Sequence, residues 1–455
     1  MPVFDWKDKY SVPKPLRGLL EKLEGSGYEA YIVGGAVRDI LLGKDPDDFD
    51  ITTSATPSET ISVFGEKNCH PTGIAHGTVT VVWEGTPYEV TTFRIDGEYN
   101  DARHPEQVLF TRNLEEDVKR RDFTINAMAM SKDSQLIDLC EGVSDLEKGL
   151  IRTVGEPKIR FEEDALRILR ALRFAAQLGF SIDPETEKEI FALRGSLQKL
   201  SSERIWQELR KLLCADHAVE ILRAYFDVFA EIIPEITPMK GFEQKNPHHI
   251  YDVWEHTLVA MEHVPGDVIL RTTMLLHDIA KPLCFQLGDD GIGHFYGHQR
   301  VSADLADEIL RRLKVDTKTR ETVVELVKIH DMTLEPERRI VRKRLSRFGE
   351  EMLRLLISVK RADIKAHSSL SQYRLAEIDG FEALMNEVIE EAMCFSYSDM
   401  EVDGKDLMEL GIPPGPHLGE IKKQLLDEIM EETIPNEKEL LLLRAQAIWE
   451  NFEEN

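Results

Sequence analysis

The stretch Tyr31-Ile32-Val33-Gly34-Gly35-Ala36-Val37-Arg38-Asp39-Ile40-Leu41-Leu42-Gly43, followed by Asp48-Phe49-Asp50-Ile51-Thr52-Thr53, decides how the first part of the chain folds. An apolar run ending in two glycines reads as a strand entering a tight turn, and Asp39–Gly43 reads as a short helix stopped by glycine. Asp48 and Asp50 stand two apart on what the pattern gives as the next strand, so both carboxylates point into one space. Two converging carboxylates with no base nearby in sequence suit Mg²⁺ ions carrying a nucleoside triphosphate. Gly34 and Gly35 would let backbone amides approach phosphate oxygens. A D-x-D alone reads more readily as solvated loop acids, so the assignment depends on the motifs that follow.

Downstream, Val79–Trp83 and Tyr88–Phe93 alternate and are rich in β-branched residues, with Gly85-Thr86-Pro87 between them. They read as a hairpin continuing a small mixed sheet. Glu89 on its second arm is either a third carboxylate of the same site or an outward strand residue. Asp96–Pro105, which contains Asp101 and Arg103, is polar and punctuated and reads as a loop. In Arg120-Arg121-Asp122-Phe123-Thr124-Ile125-Asn126, the spacing of four between Asp122 and Asn126 predicts a shared helix face. Arg121 would then sit at the helix entry, where a cation and free amides meet phosphate.

Glu162–Ala175 is composed of good helix formers and is predicted to be one helix. Asp164 and Arg167 lie three apart on it, close enough for one planar ligand to touch both. A carboxylate only accepts hydrogen bonds and a guanidinium only donates them. Cytosine and adenine both present an amino donor beside a ring-nitrogen acceptor, whereas uracil and guanine present the opposite pattern. The pair would therefore take C and A and leave groups unpaired against U and G. The plainer reading is a surface ion pair of a few tenths of a kcal/mol. Arg170 and Arg173 continue the row every third residue, a spacing that suits a triphosphate.

Bulk properties bound the class. A chain of 455 residues suggests about three domains. No apolar run reaches the roughly 18 residues of a membrane span, and the N-terminus lacks a basic-then-apolar signal pattern. Five scattered cysteines without C-x-x-C spacing argue against a disulfide scaffold or zinc ribbon and for a cytoplasmic protein. A net charge of −27 repels phosphate overall, so any RNA contact needs a local basic patch. Arg338–Arg347 is one candidate, and a solvated helix face is the other reading of it.

In order and spacing, Gly34–Arg38 with Asp48 and Asp50, Arg121–Asn126, Glu163-Asp164-x-x-Arg167 and Ser202–Leu209 resemble the motifs of the class II tRNA nucleotidyltransferase and bacterial poly(A) polymerase family. His256, His277-Asp278, His298, His330 and Asp363 likewise resemble the HD phosphohydrolase superfamily, whose His and Asp residues form a divalent-metal site. These resemblances imply an α+β protein: a small mixed-sheet catalytic head (1–145), then an all-helical neck (146–215), an HD-type body (216–370) and a helical tail (371–455). They imply addition of C, C and A to tRNA from CTP and ATP, with Mg²⁺ on Asp48 and Asp50. By family analogy Gly35, Arg38, Arg121, Arg170 and Arg173 lie on the phosphate side, and Asp122 and Asn126 nearer the ribose. A second divalent metal would occupy the HD site, and no protein partner is inferable. The alternatives are a poly(A) polymerase, an enzyme adding only CC or only A, and an HD phosphohydrolase with a degenerate RNA-binding head. Since Asp164 and Arg167 alone cannot tell C from A, the loop residues Asp101 and Arg103 are expected to reshape the pocket between steps.

Overall fold

The computed structural model describes residues 3–5, 10–96, 108–391, 397–430 and 433–453. The chain divides into two compact units, Met1–Pro234 and Glu235–Asn455.

The first unit is organised by one mixed sheet. Its strands are β1 (Val3–Asp5), β2 (Ala30–Val33), β3 (Asp50–Thr53), β4 (Cys69–Gly73), β5 (Thr78–Trp83), β6 (Thr86–Thr92), β7 (Met128–Met130) and β8 (Gln135–Asp138). They lie in the order β1-β8-β7-β2-β3-β6-β5-β4, antiparallel except for the parallel pair β3–β6. Side chains alternate between two cores. Ile32, Ile51, Val79, Val81, Val90, Met128 and Leu136 pack with leucines of the Lys14–Gly25 helix. Val33, Phe93, Ala127, Ala129 and Ile137 pack with Leu114 and Val118 on the opposite face. Because both faces are covered, strands such as Met128–Met130 read as continuous apolar runs.

The hairpin forms with a tighter turn than expected. Trp83 pairs with Thr86, so only Glu84 and Gly85 bridge the strands, both at positive φ (50° and 82°), and β6 starts at Thr86. That backbone matches the twist of the flanking strands.

The helical part of this unit extends past the expected boundary at 215. Helices Ala218–Ala224 and Phe226–Ile232 stay with it: the His217 amide donates to the Ala176 carbonyl, Tyr225 stacks on Phe191, and the Tyr225 hydroxyl donates to Glu187. Beyond residue 157 strands do not vanish entirely. Ser181–Ile182 pairs with Leu150–Ile151, and Gln286–Leu287 with Gly293–His294.

The second unit is mostly helical, and two of its cores among the described residues are separate clusters. One gathers Leu326, Val341, Leu353, Leu356, Phe381, Met385 and Val388. The other gathers Leu407, Ile421, Leu425, Leu441 and Ile448 from the last three helices, with Val402 just before them. Helix Arg374–Glu390, expected in the tail, thus packs with the body core. The long helix Arg338–Lys365 bends at Gly349, whose φ of 75° and ψ of 167° no helical residue adopts. The basic stretch at its start is only partly a patch. Arg342 is buried and donates to the Met430 carbonyl, and Arg338 pairs with Glu391, whereas Arg339, Lys343 and Arg347 are exposed.

Candidate active site and metal centre

Strand register builds the acidic site. Asp50 opens β3, opposite Val33 on β2 and in parallel register with Glu89 on β6. Residues paired in register share a face, so Glu89 stands beside Asp50 rather than turned away from it. Asp48 lies in the chain entering β3, not on the strand itself. Asp48, Asp50 and Glu89 line one cavity of about 610 Å³. Asp50 and Glu89 also line a neighbouring one of about 220 Å³ with Arg120 and Arg121. Asp50 is open to the cleft yet surrounded by protein; burial raises its pKa, Asp48 and Glu89 add to the rise, and Arg121 opposes it. A carboxylate cluster whose charges resist one another fits a divalent cation.

The glycine turn is shaped around this cluster. Gly34 has φ 73° and ψ −139°, a conformation for glycine alone, and caps the short helix Gly35–Leu41. A Cβ there would lie 3.5 Å from Asp50 Oδ2 and 3.7 Å from Arg121 Nη1, so both groups border the same space. On that helix Arg38 pairs with Asp39 and donates to Asn126 Oδ1 at 2.9 Å.

Two sequence expectations about helices are overturned. Asp122 and Asn126 do not share a helix face: Thr124–Asn126 is a single 3₁₀ turn, and Phe123 bridges Thr153 in an antiparallel pairing. The Thr124 amide donates to the Arg152 carbonyl and the Val154 amide to the Asp122 carbonyl, which commits this backbone to extended pairing. Arg121 therefore follows the end of helix Leu114–Lys119 instead of opening a helix.

The predicted helix over 162–175 is likewise two helices, Pro157–Glu163 and Leu166–Leu178, broken at Asp164 (φ −148°, ψ 104°). Asp164 ends the first helix and stands just before Ala165, the N-cap of the second, and its Oδ1 accepts from the Leu166 amide at 3.0 Å, a local side-chain bond that competes with a continuous helix. Nor do Asp164 and Arg167 pair with each other. Asp164 Oδ2 accepts from Arg204 at 2.8 Å. Arg167, 8% exposed, donates to Glu163, to the Arg160 carbonyl and to the Arg120 carbonyl. Arg170 holds Asp122 at 2.6–2.7 Å, and Arg173 donates to Glu208 at 2.6 Å. Burial works against the charge on Asp122, but Arg170 outweighs it and its pKa is lowered.

Helix Ser202–Leu213 packs against helix Leu166–Leu178, with Trp206, Leu209 and Leu213 buried. Arg204 and Glu208 add ionic contacts that sequence reasoning missed. Their spacing of four, on one helix face, was the available signal.

Residues 30–152 match a model of the poly A polymerase head domain, 179–240 a probable RNA- and SrmB-binding site of polymerase A, and 296–445 a putative domain 2 of tRNA nucleotidyltransferase. A CCA-adding enzyme of Streptococcus suis is 35% identical over 95% of this chain and 96% of its own length. The chain belongs to the CCA-adding enzyme family. The CCA-adding enzyme of Leuconostoc mesenteroides is 52% identical, but that match spans only 45% of this chain and half of the relative. The solved CCA-adding enzyme of Bacillus stearothermophilus in complex with CTP superposes with a TM-score of 0.72 at 29% identity, over 97% of this chain and 98% of that one.

Within this family member, the second unit brings all six HD-type residues together. His256 lies on helix Val253–Glu262, and His277 and Asp278 follow helix Val268–Leu276. His298 opens a helix, His330 ends one, and Asp363 lies on Arg338–Lys365. His256 Nε2 is 3.0 Å from Asp363 Oδ1 and 3.4 Å from Asp278 Oδ2; His277 Nε2 is 3.2 Å from Asp278 Oδ2. His298 Nε2 is 3.3 Å from Asp278 Oδ1. Three of the rings are fixed from behind: His277, His298 and His330 each place Nδ1 on a backbone carbonyl, of Met274, Phe295 and Val327. With a proton committed there, Nε2 is the atom each ring turns inward towards Asp278, as metal ligands do. His277 Nε2 and Asp278 Oδ1 are buried without a well-formed hydrogen bond, and Lys281 Nζ lies 2.6 Å from Asp278 Oδ2, so the donor set that fits a divalent cation carries a lysine on one of its carboxylate oxygens. His249 and His367, which the sequence did not single out, stand beside His256 with ring centroids 5.4 and 5.1 Å from it. The cluster opens into a cavity of about 380 Å³ that Lys281 and Arg374 also line.

Asp101 and Arg103 lie outside the described residues; the strands Arg94–Asp96 and Val108–Phe110, which pair with each other, mark where their segment begins and ends.

Proposed function

We propose that this chain completes tRNA 3′ ends, adding C, C and A from CTP and ATP without a nucleic-acid template and releasing pyrophosphate in the cytoplasm. The observation that carries the reading is the register of Asp50 with Glu89 beside the Gly34 turn and Arg121. Asp48 and Asp50, with Glu89 as a third carboxylate, would hold Mg²⁺. Bound there, Mg²⁺ lowers the pKa of the attacking 3′-hydroxyl and neutralises the triphosphate. Gly35 offers its amide at the turn, and Arg38 and Arg121 face phosphate. Asp122 and Asn126, immobilised by Arg170 and Arg38, orient the ribose side. Asp164 keeps lone pairs beyond those used by Arg204 and the Leu166 amide to accept a base amino group, and Arg167 donates to the ring nitrogen. Arg170 and Arg173, each tied to a carboxylate, fix the helix that carries the base-reading pair.

The test incubates tRNA lacking its 3′ CCA with CTP, ATP, UTP and GTP singly and together. Two cytidines from CTP alone and a terminal adenosine only when ATP is added support the reading. Long adenosine tails on generic RNA would replace it with a poly(A) polymerase. Within the full reaction, Asp101 and Arg103 act in the third step, so Arg103→Ala extends tRNA by two cytidines and stalls before adenosine.

The inward Nε2 atoms of the second unit favour a further role at that site, hydrolysis of a phosphate ester. A divalent ion held there supplies an activated water, and Lys281 and Arg374 face the ester's charge.

A further inference from the structure

One buried carboxylate joins the loop stem, the metal strand and the base-reading residues, and none of the motifs above includes it. Asp117, on helix Leu114–Lys119, is fully buried. Its Oδ1 accepts from Arg120 Nε and Nη2 at 2.9 and 2.7 Å, and its Oδ2 from Arg121 Nη2 at 3.1 Å. Thr52, two residues along β3 from Asp50, donates its hydroxyl to Oδ2 at 3.2 Å. The Arg94 amide, where the stem strand begins, donates to Oδ1 at 3.3 Å. Burial opposes the charge, but Arg121 and Arg120 overcome it and lower the carboxyl's pKa.

Stability alone gives no reason for this arrangement, since a buried ion cluster is often no more stable than an apolar core of the same volume. Each arginine, however, leads to a functional place. Arg121 carries its other terminal nitrogen to the space beside Gly34 that Asp50 also borders. The Arg120 carbonyl accepts from Arg167 Nη2 at 3.1 Å.

We propose that Asp117 is a positioning residue: it sets Arg121 against the metal carboxylates and Arg120 against Arg167, linking the rate of nucleotidyl transfer to base choice. The inference rests on Asp50 and Arg121 belonging to the transfer site.

The experiment is a double-variant cycle of Asp117→Asn and Arg121→Gln in the full chain. It uses tRNA lacking its 3′ CCA and reads kcat, the KM values for CTP and tRNA, and UTP misincorporation. Asp117→Asn should lower kcat by about tenfold to a hundredfold, the usual loss when the partner orienting an active-site group is removed. The KM for tRNA should stay unchanged, and UTP misincorporation should rise. The double variant should be no slower than Arg121→Gln alone, because effects that act through one residue do not add. Multiplying effects, or wild-type kcat in a folded Asp117→Asn protein, would overturn the proposal. If Arg121→Gln alone changes nothing, the assignment of Arg121 to the transfer site fails first and takes the proposal with it. Should Asp117→Asn not fold, Arg120→Lys carries the test, because lysine keeps the charge but cannot reproduce the two-nitrogen fork. Raised UTP misincorporation is then the expected result, and wild-type fidelity the overturning one.

Discussion

The two ionic centres of this chain are built on opposite plans. In the first unit, Asp48, Asp50 and Glu89 are exposed at the mouth of a cleft. Burial, Asp48 and Glu89 push the Asp50 carboxyl up, and Arg121 restrains it. In the second unit His256, His277, Asp278 and His330 are buried, and three histidines are pinned by backbone carbonyls. The open site gathers like charges that an arriving cation would relieve, which would suit ions that come and go with a substrate. The closed site already has its ligands in place, which suits an ion that stays.

Each centre can be emptied separately. Asp50→Ala or Asp48→Ala should reduce nucleotide addition by about a thousandfold, the upper end of what one preorganised electrostatic group contributes. Binding of tRNA, followed by gel shift, should survive. Near-normal incorporation by either variant would remove the carboxylates from the reaction.

The complementary variant, His277→Ala with Asp278→Ala, should strip the metal that co-purifies with the protein, read by elemental analysis, and abolish any phosphate-ester hydrolysis. CCA addition should remain, because these residues belong to a different compact unit. Loss of addition in a variant that still folds would join the two centres that the comparison separates.

How much of this was legible in the sequence follows from the range of the interactions. Asp50 and the glycine turn were readable because turn chemistry and strand period act within a few residues, whereas Asp48, expected on the strand, lies just before it. All six histidines and aspartates of the second centre were likewise visible as ordered residue types. The break at Asp164 was hidden, since its neighbours are all good helix formers and only the side chain's bond to the Leu166 amide decides otherwise. The extended pairing at Phe123 depends on Thr153, 30 residues on, and no local pattern announces it. Asp117, Arg204 and Glu208 act through partners distant in sequence or in another motif, so each looked like an ordinary helix-surface charge. The unit boundary at Pro234 was missed for a related reason: Tyr225 packs against Phe191 and Glu187, contacts that composition does not reveal.

A finer test sharpens the contrast inside the first unit, between residues that touch the base and those that hold them. Asp164→Ala should raise UTP and GTP misincorporation by about tenfold, a modest part of what lost base hydrogen bonds can cost in discrimination. Arg204→Ala leaves Asp164 in place with one partner fewer, so its increase should be smaller. Equal fidelity in both variants and the wild type would leave Asp164 as a helix cap and nothing more.

The smallest effect expected is a pH dependence confined to the second centre. Burial lowers the pKa of His249 to about 2, of His330 to about 3 and of His367 to about 4, so all three are neutral in the folded protein at neutral pH. Unfolded, each would take a proton below about pH 6.5. Between pH 6.5 and 4 the unfolded chain therefore binds more protons than the folded one, and stability falls as the solution is acidified. His277 behaves in the opposite sense. Burial opposes its protonation, but Asp278 and then Asp363 overcome this and raise its pKa to about 10. Its contribution is complete below pH 6.5 and is lost only as the pH rises towards 10, so it does not offset the acid loss. In chelator, the melting transition of the second unit should drop by several degrees from pH 7 to pH 5. That transition is identified as the one that a divalent ion raises at pH 7. A transition that ignores pH over this range would mean that these rings are already charged in the folded protein, and the closed, preassembled character of the centre would fall with it.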